Sequence, residues 1–145
     1  MNYIIGIDHT GIAVPDLEEA LPLYQGLGYE IASGPVIDED RGIRVCFIRQ
    51  NQFTIELVSP AYADKKSVID SFLMSKRGYE IYHICYLVSD LEKQIEIMLK
   101  NGYLELHKPA VSRPMGGRKA AYLYHRQIGL AELAEPHTAP YGLFS

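Results

Sequence analysis

The chain has 145 residues, 48% hydrophobic and 22% charged, with a formal net charge of −4 at pH 7. That length and balance suit one soluble globular domain able to bury its own core. The acidic balance excludes a basic surface for nucleic-acid backbone or anionic lipid, and no apolar run approaches the ~18 residues a spanning helix needs. The opening stretch 1–14 lacks a basic n-region and carries Asp8 and His9, so it does not read as a signal peptide. Cys46 and Cys85 each sit in an apolar, strand-like segment away from any CxxC pattern. They read as buried free thiols of a reducing compartment, and a cytoplasmic protein is the expectation.

Along the chain, Ile5–Val14 alternates, with Ile7, His9, Gly11 and Ala13 on one strand face and Thr10, Ile12 and Val14 on the other. A helix is expected over 16–27, opening at Asp16 and ending near Gly28, with Pro22 expected to kink it or delay its start. Asp38–Arg41 reads as a loop, and Ile43–Arg49 and Phe53–Val58 as strands. Lys65–Lys76 reads as a short connecting helix, because Val68, Ile69, Phe72 and Leu73 are spaced for one face. Ile81–Val88 alternates again, with His83 opposite Tyr82, Ile84, Tyr86 and Val88. Ser89-Asp90-Leu91-Glu92 has the capping-box pattern, Leu91, Ile95, Met98 and Leu99 form an apolar stripe, and Gly102 suits a C-cap, so a helix is expected over 90–101. Ser112–Gly117 reads as a Gly/Pro loop, and Ala120–Tyr124 and Gly129–Ala134 as strands. The segment from His137 to Ser145 reads as a tail, loose or docked.

These elements repeat. With His9 set on His83, an offset of 74 (83 − 9), Val14, Asp16, Leu17, Glu18, Gly28 and Tyr29 fall on Val88, Asp90, Leu91, Glu92, Gly102 and Tyr103. That gives 7 identities over 21 positions, where chance supplies about one. Farther on, Glu56-Leu57-Val58-Ser59-Pro60 falls on Glu132-Leu133-Ala134-Glu135-Pro136 at an offset of 76 (132 − 56). A loop absorbs the two-residue difference. The chain therefore divides into modules of about 1–70 and 75–137, followed by a tail over 138–145.

Most repeated residues have structural explanations: Asp16 and Asp90 cap helices, Gly28 and Gly102 end them, and Tyr29 and Tyr103 pack. Four do not. His9 and His83 hold equivalent places on the opening strands, and Glu56 and Glu132 on the closing strands. A carboxylate flanked by Ile55 and Leu57, or by Ala131 and Leu133, is costly to bury unless paired or bound to metal. A lone strand histidine or glutamate is usually hydrogen-bonded or solvent-facing. Two of each at repeat-equivalent positions, all able to bind metal, point instead to one divalent cation. Such an N/O set suits Mn, Fe, Co, Ni or Zn, and leaves positions open for a bidentate oxygen ligand.

The segments Asp8-His9-Thr10-Gly11-Ile12-Ala13-Val14, Ile55-Glu56-Leu57, Tyr82-His83-Ile84 and Ala131-Glu132-Leu133 resemble the vicinal oxygen chelate superfamily. The resemblance runs to about Pro136. It implies an α+β fold of two paired βαβββ modules forming a curved eight-stranded mixed sheet around a metal cleft, with His9, Glu56, His83 and Glu132 as ligands. Within that superfamily, Ser67–Leu73 and Gly116-Gly117-Arg118-Lys119-Ala120-Ala121-Tyr122-Leu123 are most similar to methylmalonyl-CoA epimerases. Glutamate at position 56, where those enzymes often carry glutamine, is the pattern of glyoxalase I.

The shared chemistry is proton transfer alpha to a carbonyl through a metal-stabilised enolate. For an epimerase, the resemblance implies Glu132 and Asp40, with Glu39 beside it, as the proton-handling carboxylates on an acyl-CoA such as methylmalonyl-CoA. A glyoxalase I-like lyase acting on a hemithioacetal would need only Glu56 and Glu132. A metal-free antibiotic-binding protein of the same fold is a third reading, against which the His/Glu quartet argues. Read from charge alone, Asp38-Glu39-Asp40 is also an ordinary solvated run. Arg113, Arg118, Lys119 and Arg126 either bind a phosphate-bearing carrier such as CoA or balance surface charge. A homodimer is expected from the resemblance.

Overall fold

A computed structural model describes residues 2–74 and 80–136. The strands are β1 (Ile4–Ala13), β2 (Glu30–Asp38), β3 (Ile43–Gln50), β4 (Phe53–Pro60), β5 (Ile81–Val88), β6 (Leu104–Ser112), β7 (Arg118–His125) and β8 (Gly129–Ala134). The helices are α1 (Leu17–Gln25), α2 (Asp70–Met74) and α3 (Leu91–Lys100). The order β1-α1-β2-β3-β4 recurs as β5-α3-β6-β7-β8, so the βαβββ pattern occurs twice. All strands belong to one mixed eight-stranded sheet, ordered β2-β3-β4-β1-β5-β8-β7-β6.

Contacts divide the chain into two compact units, with the cut inside β1. One unit holds Thr10–Tyr82. There β1 runs parallel to β4, with Gly11 in register with Glu56, and β4-β3-β2 are antiparallel. Its core joins Ile12, Val14, Leu17, Leu21, Cys46, Ile48, Ile55 and Leu57 beneath α1. The other unit holds the chain up to His9 together with the chain from His83. There β5 runs parallel to β8, and β8-β7-β6 are antiparallel. Val88, Leu91, Ile95, Met98, Ala121, Leu123, Ala131 and Leu133 form its core beneath α3. The start of β1 is tied into this unit through Tyr3, whose N–H donates to Gln94 Oε1 at 2.8 Å and whose carbonyl accepts from Ser89 N at 2.9 Å.

The local signals act with some differences from expectation. Asp16 caps α1 by accepting from Glu18 N at 2.9 Å, and Pro22 lies inside the helix without delaying its start. Asp90 caps α3, as its equivalence to Asp16 implies, by accepting from Lys93 N at 3.1 Å, whereas Ser89 of the capping-box pattern bonds to Tyr3. Gly28 and Gly102, at φ +98° and +89°, supply the left-handed residue that lets the chain leave each helix. The connecting helix begins later than expected: Ser67 N–H and Oγ both bond to the Asp70 carboxylate, making a turn before α2 begins. Residues 75–76 of that expected helix and the tail from 137 lie outside the described residues. Two strands had no separate signal. β2 and β6 are the sheet's edges, carry Pro35 and Pro109, break register with their neighbours, and are largely exposed. Proline is tolerated at an edge, and a strand without a buried face shows no apolar alternation.

Candidate metal centre

The placement of the four candidate ligands follows from strand parity. In the unit built on β5 and β8, the side chains of Val88, Ala131 and Leu133 turn toward α3. Odd-numbered His83 and even-numbered Glu132 therefore project from the opposite, helix-free face. In the unit built on β1 and β4, Ile12, Ile55 and Leu57 turn toward α1, which leaves Gly11 and Glu56 on the helix-free face. All four polar residues are buried: His9, His83 and Glu132 are each 2% exposed and Glu56 is 6% exposed.

His9, His83 and Glu132 converge on one point. The two Nε2 atoms are 3.3 Å apart, and each lies 3.2 Å from Glu132 Oε1. The imidazoles meet edge to face at 86°. Neighbouring ligands held ~2.1 Å from an ion, at right angles, stand roughly 3 Å apart. The observed spacing matches that requirement, and the donor set of two imidazoles and a carboxylate suits a first-row divalent cation. Burial alone would raise the Glu132 pKa, but its close contacts with the imidazoles of His83 and then His9 outweigh it and hold the carboxyl below the usual range. The group is a buried anion. The ring of Tyr122, in register with Glu132 on β7, packs edge-on against His83 at 5.8 Å.

Asp8 and Arg118, neither an expected member of the centre, lie directly behind it. Asp8 Oδ2 accepts from His9 Nδ1 at 2.8 Å. Arg118 holds both oxygens of the same carboxylate, Nη1 to Oδ1 and Nη2 to Oδ2, each at 3.1 Å. For Asp8 too, desolvation raises the pKa, and the hydrogen bonds from His9 and Arg118 more than reverse it, so the carboxyl stays ionised far into acid. The reading of Arg118 as a carrier-phosphate contact gives way here. Its side chain is 4% exposed, and Nε and Nη1 also donate to the carbonyls of Met115 and Glu135. An interior guanidinium held this way has no face for a phosphate. Lys119, the next residue, is exposed.

Asp40 lies exposed in the turn between β2 and β3, where Arg41 pairs with Asp38 at 2.9 Å and Glu39 accepts from Tyr62 Oη at 2.7 Å. Cys46 and Cys85 are both buried. Among the described residues, no helix is long and apolar enough to cross a membrane.

Residues 8–122 match the family model described as the Glyoxalase/Bleomycin resistance protein/Dioxygenase superfamily. The chain is 28% identical over 131 residues to the mitochondrial methylmalonyl-CoA epimerase of Dictyostelium discoideum, an alignment spanning 89% of this chain and 77% of that one. It is 40% identical over 86 residues to the ethylmalonyl-CoA/methylmalonyl-CoA epimerase of Cereibacter sphaeroides, spanning 59% and 62%. The crystal structure of methylmalonyl-CoA epimerase from Mycobacterium tuberculosis superposes with a TM-score of 0.78 at 29% identity, spanning 100% of this chain and 95% of that one.

Proposed function

The chain belongs to the Glyoxalase/Bleomycin resistance protein/Dioxygenase superfamily, and from that premise we propose that it is a metal-dependent epimerase acting on methylmalonyl-CoA or a related 2-substituted malonyl-CoA. The observation that carries this reading is the buried convergence of His9, His83 and Glu132 at 3.2–3.3 Å, in a chain whose relatives are such epimerases. Glu56 is the fourth ligand in this reading. It is buried, and it stands in register with Gly11, two residues beyond His9 on the same strand face.

A bound divalent ion of the Mn, Fe, Co, Ni or Zn type would supply one thing here: stabilisation of the negative charge that develops on the thioester oxygen as the α-carbon loses its proton. The remaining work falls to side chains. One carboxylate removes the α-proton from one face, and the conjugate acid of a second returns a proton to the other face, inverting the centre. Glu132 and Asp40 are assigned these two roles, with Glu39 beside Asp40 tied to Tyr62. Exposed Lys119, with Arg113 and Arg126, is assigned to the carrier phosphates, and the active form is a homodimer. Proton NMR in deuterated water tests the reaction: metal-loaded protein should exchange the α-proton of methylmalonyl-CoA. Isomerisation of a hemithioacetal without that exchange would replace this reading with a glyoxalase I-type lyase.

A further inference from the structure

His9 and His83 are equivalent in the repeat, but the residues before them are not: Asp8 precedes one and Tyr82 the other. The asymmetry has a partner 110 residues away, since the Asp8 carboxylate is clamped by Arg118. We propose that the Arg118–Asp8 pair positions the metal centre by fixing the His9 ring with its proton on Nδ1 and its Nε2 lone pair turned toward His83 and Glu132. This rests on the reading of His9 as a metal ligand.

The geometry carries the assignment. An ionised carboxylate only accepts hydrogen bonds, so the 2.8 Å contact to Asp8 Oδ2 requires the proton on His9 Nδ1. With Nδ1 protonated, the neutral ring has its lone pair on Nε2, the atom 3.2 Å from Glu132 Oε1 and 3.3 Å from His83 Nε2. The carboxylate cannot swing away, because Arg118 occupies both oxygens in a fork. The fork is itself held by the carbonyls of Met115 and Glu135. The Asp8 and Arg118 side chains are 1% and 4% exposed. A buried ion pair of this kind adds little net stability over an apolar pair of the same volume. Its effect is orientation: a carboxylate behind a metal-ligating histidine sets ring angle and tautomer, and losing it typically weakens metal binding by about 10–100-fold. Asp8 and Arg118 are thus positioning residues, acting through His9.

The test uses the full chain as wild type, Asp8→Asn and Arg118→Lys, with folding checked by circular dichroism. Nitrogen-15 NMR of the metal-free protein at about pH 8.5, above ordinary histidine titration, locates the His9 ring proton. Chelator competition measures Zn²⁺ affinity. Wild type should carry the proton on Nδ1. Asp8→Asn, whose amide places an NH₂ among the acceptors, should spread it to Nε2 and lower Zn²⁺ affinity about 10–100-fold. Arg118→Lys keeps the charge but loses the fork, and should retain the Nδ1 proton with a smaller loss of affinity. A folded Asp8→Asn protein with wild-type affinity, or with the proton still on Nδ1, overturns the proposal. If Asp8→Asn does not fold, unchanged Zn²⁺ affinity in Arg118→Lys overturns it instead. Wild type that binds no Zn²⁺ refutes the metal reading itself, and the ring proton then decides the positioning alone: on Nδ1 it stands, on Nε2 it falls.

Discussion

Replacing Glu132 by glutamine removes one negative charge from the centre while leaving its shape nearly unchanged. The carboxylate oxygen lies 3.2 Å from both histidine Nε2 atoms, and the side chain is 3% exposed, so solvent cannot substitute for it. A hydrogen bond to a charged group contributes ~1.5–3 kcal/mol. With the His9 proton on Nδ1 only His83 Nε2 can donate to this oxygen, so one charged hydrogen bond is weakened and Glu132→Gln should destabilise the metal-free protein by roughly 1.5–3 kcal/mol at pH 7. The pH dependence has a definite sign. The folded-state pKa of Glu132 is depressed, so its contribution is complete above the ordinary carboxylate range and is lost as pH falls through the lowered value. Urea titrations of both proteins should therefore still differ at about pH 5, and converge only in strong acid. The same variant, loaded with Co²⁺ and desalted, should retain far less than the one ion per chain expected of wild type. Full metal occupancy in a folded Glu132→Gln protein would remove Glu132 from the ligand set. A stability gap that closes between pH 7 and pH 5 would refute the buried-anion account.

Asp40→Asn should slow epimerisation by roughly 10²–10⁴ while leaving metal affinity intact, as expected for one positioned acid or base; a rate within twofold of wild type excludes Asp40. The Cys46 thiol is pushed up to about 11 by burial, against a smaller opposing effect of the Arg44 charge. Iodoacetamide at pH 8 should accordingly leave Cys46 unmodified in folded protein and label it fully in urea, as mass spectrometry of the peptide can read. Asp16→Ala removes the α1 cap and should cost about 1 kcal/mol in denaturant unfolding, with no change in metal stoichiometry. A larger loss accompanied by metal release would mean that α1 and the centre are coupled.

Several features of this protein are legible in sequence because they obey local or repeated rules. β5 and β8 stand at their expected bounds, and β1, β3, β4 and β7 differ from expectation only at their ends. Each of these carries at least one buried face, and burial draws the apolar and β-branched runs, alternating or continuous, that reveal a strand. The candidate ligands were legible for a different reason: a βαβββ unit used twice must copy whatever its helix-free face requires, so His9, Glu56, His83 and Glu132 stand out once the halves are aligned. Tertiary structure alone decided the rest. The edge strands β2 and β6 have little buried face and therefore no period to detect. Arg118 illustrates the limit best. In the sequence it stands among basic residues next to a glycine pair, and a surface role is the natural reading; in the fold it is interior and bound to Asp8, 110 residues away. Local propensity and periodicity describe how a segment presents its own faces, but a bond between distant side chains is set only when the chain closes on itself.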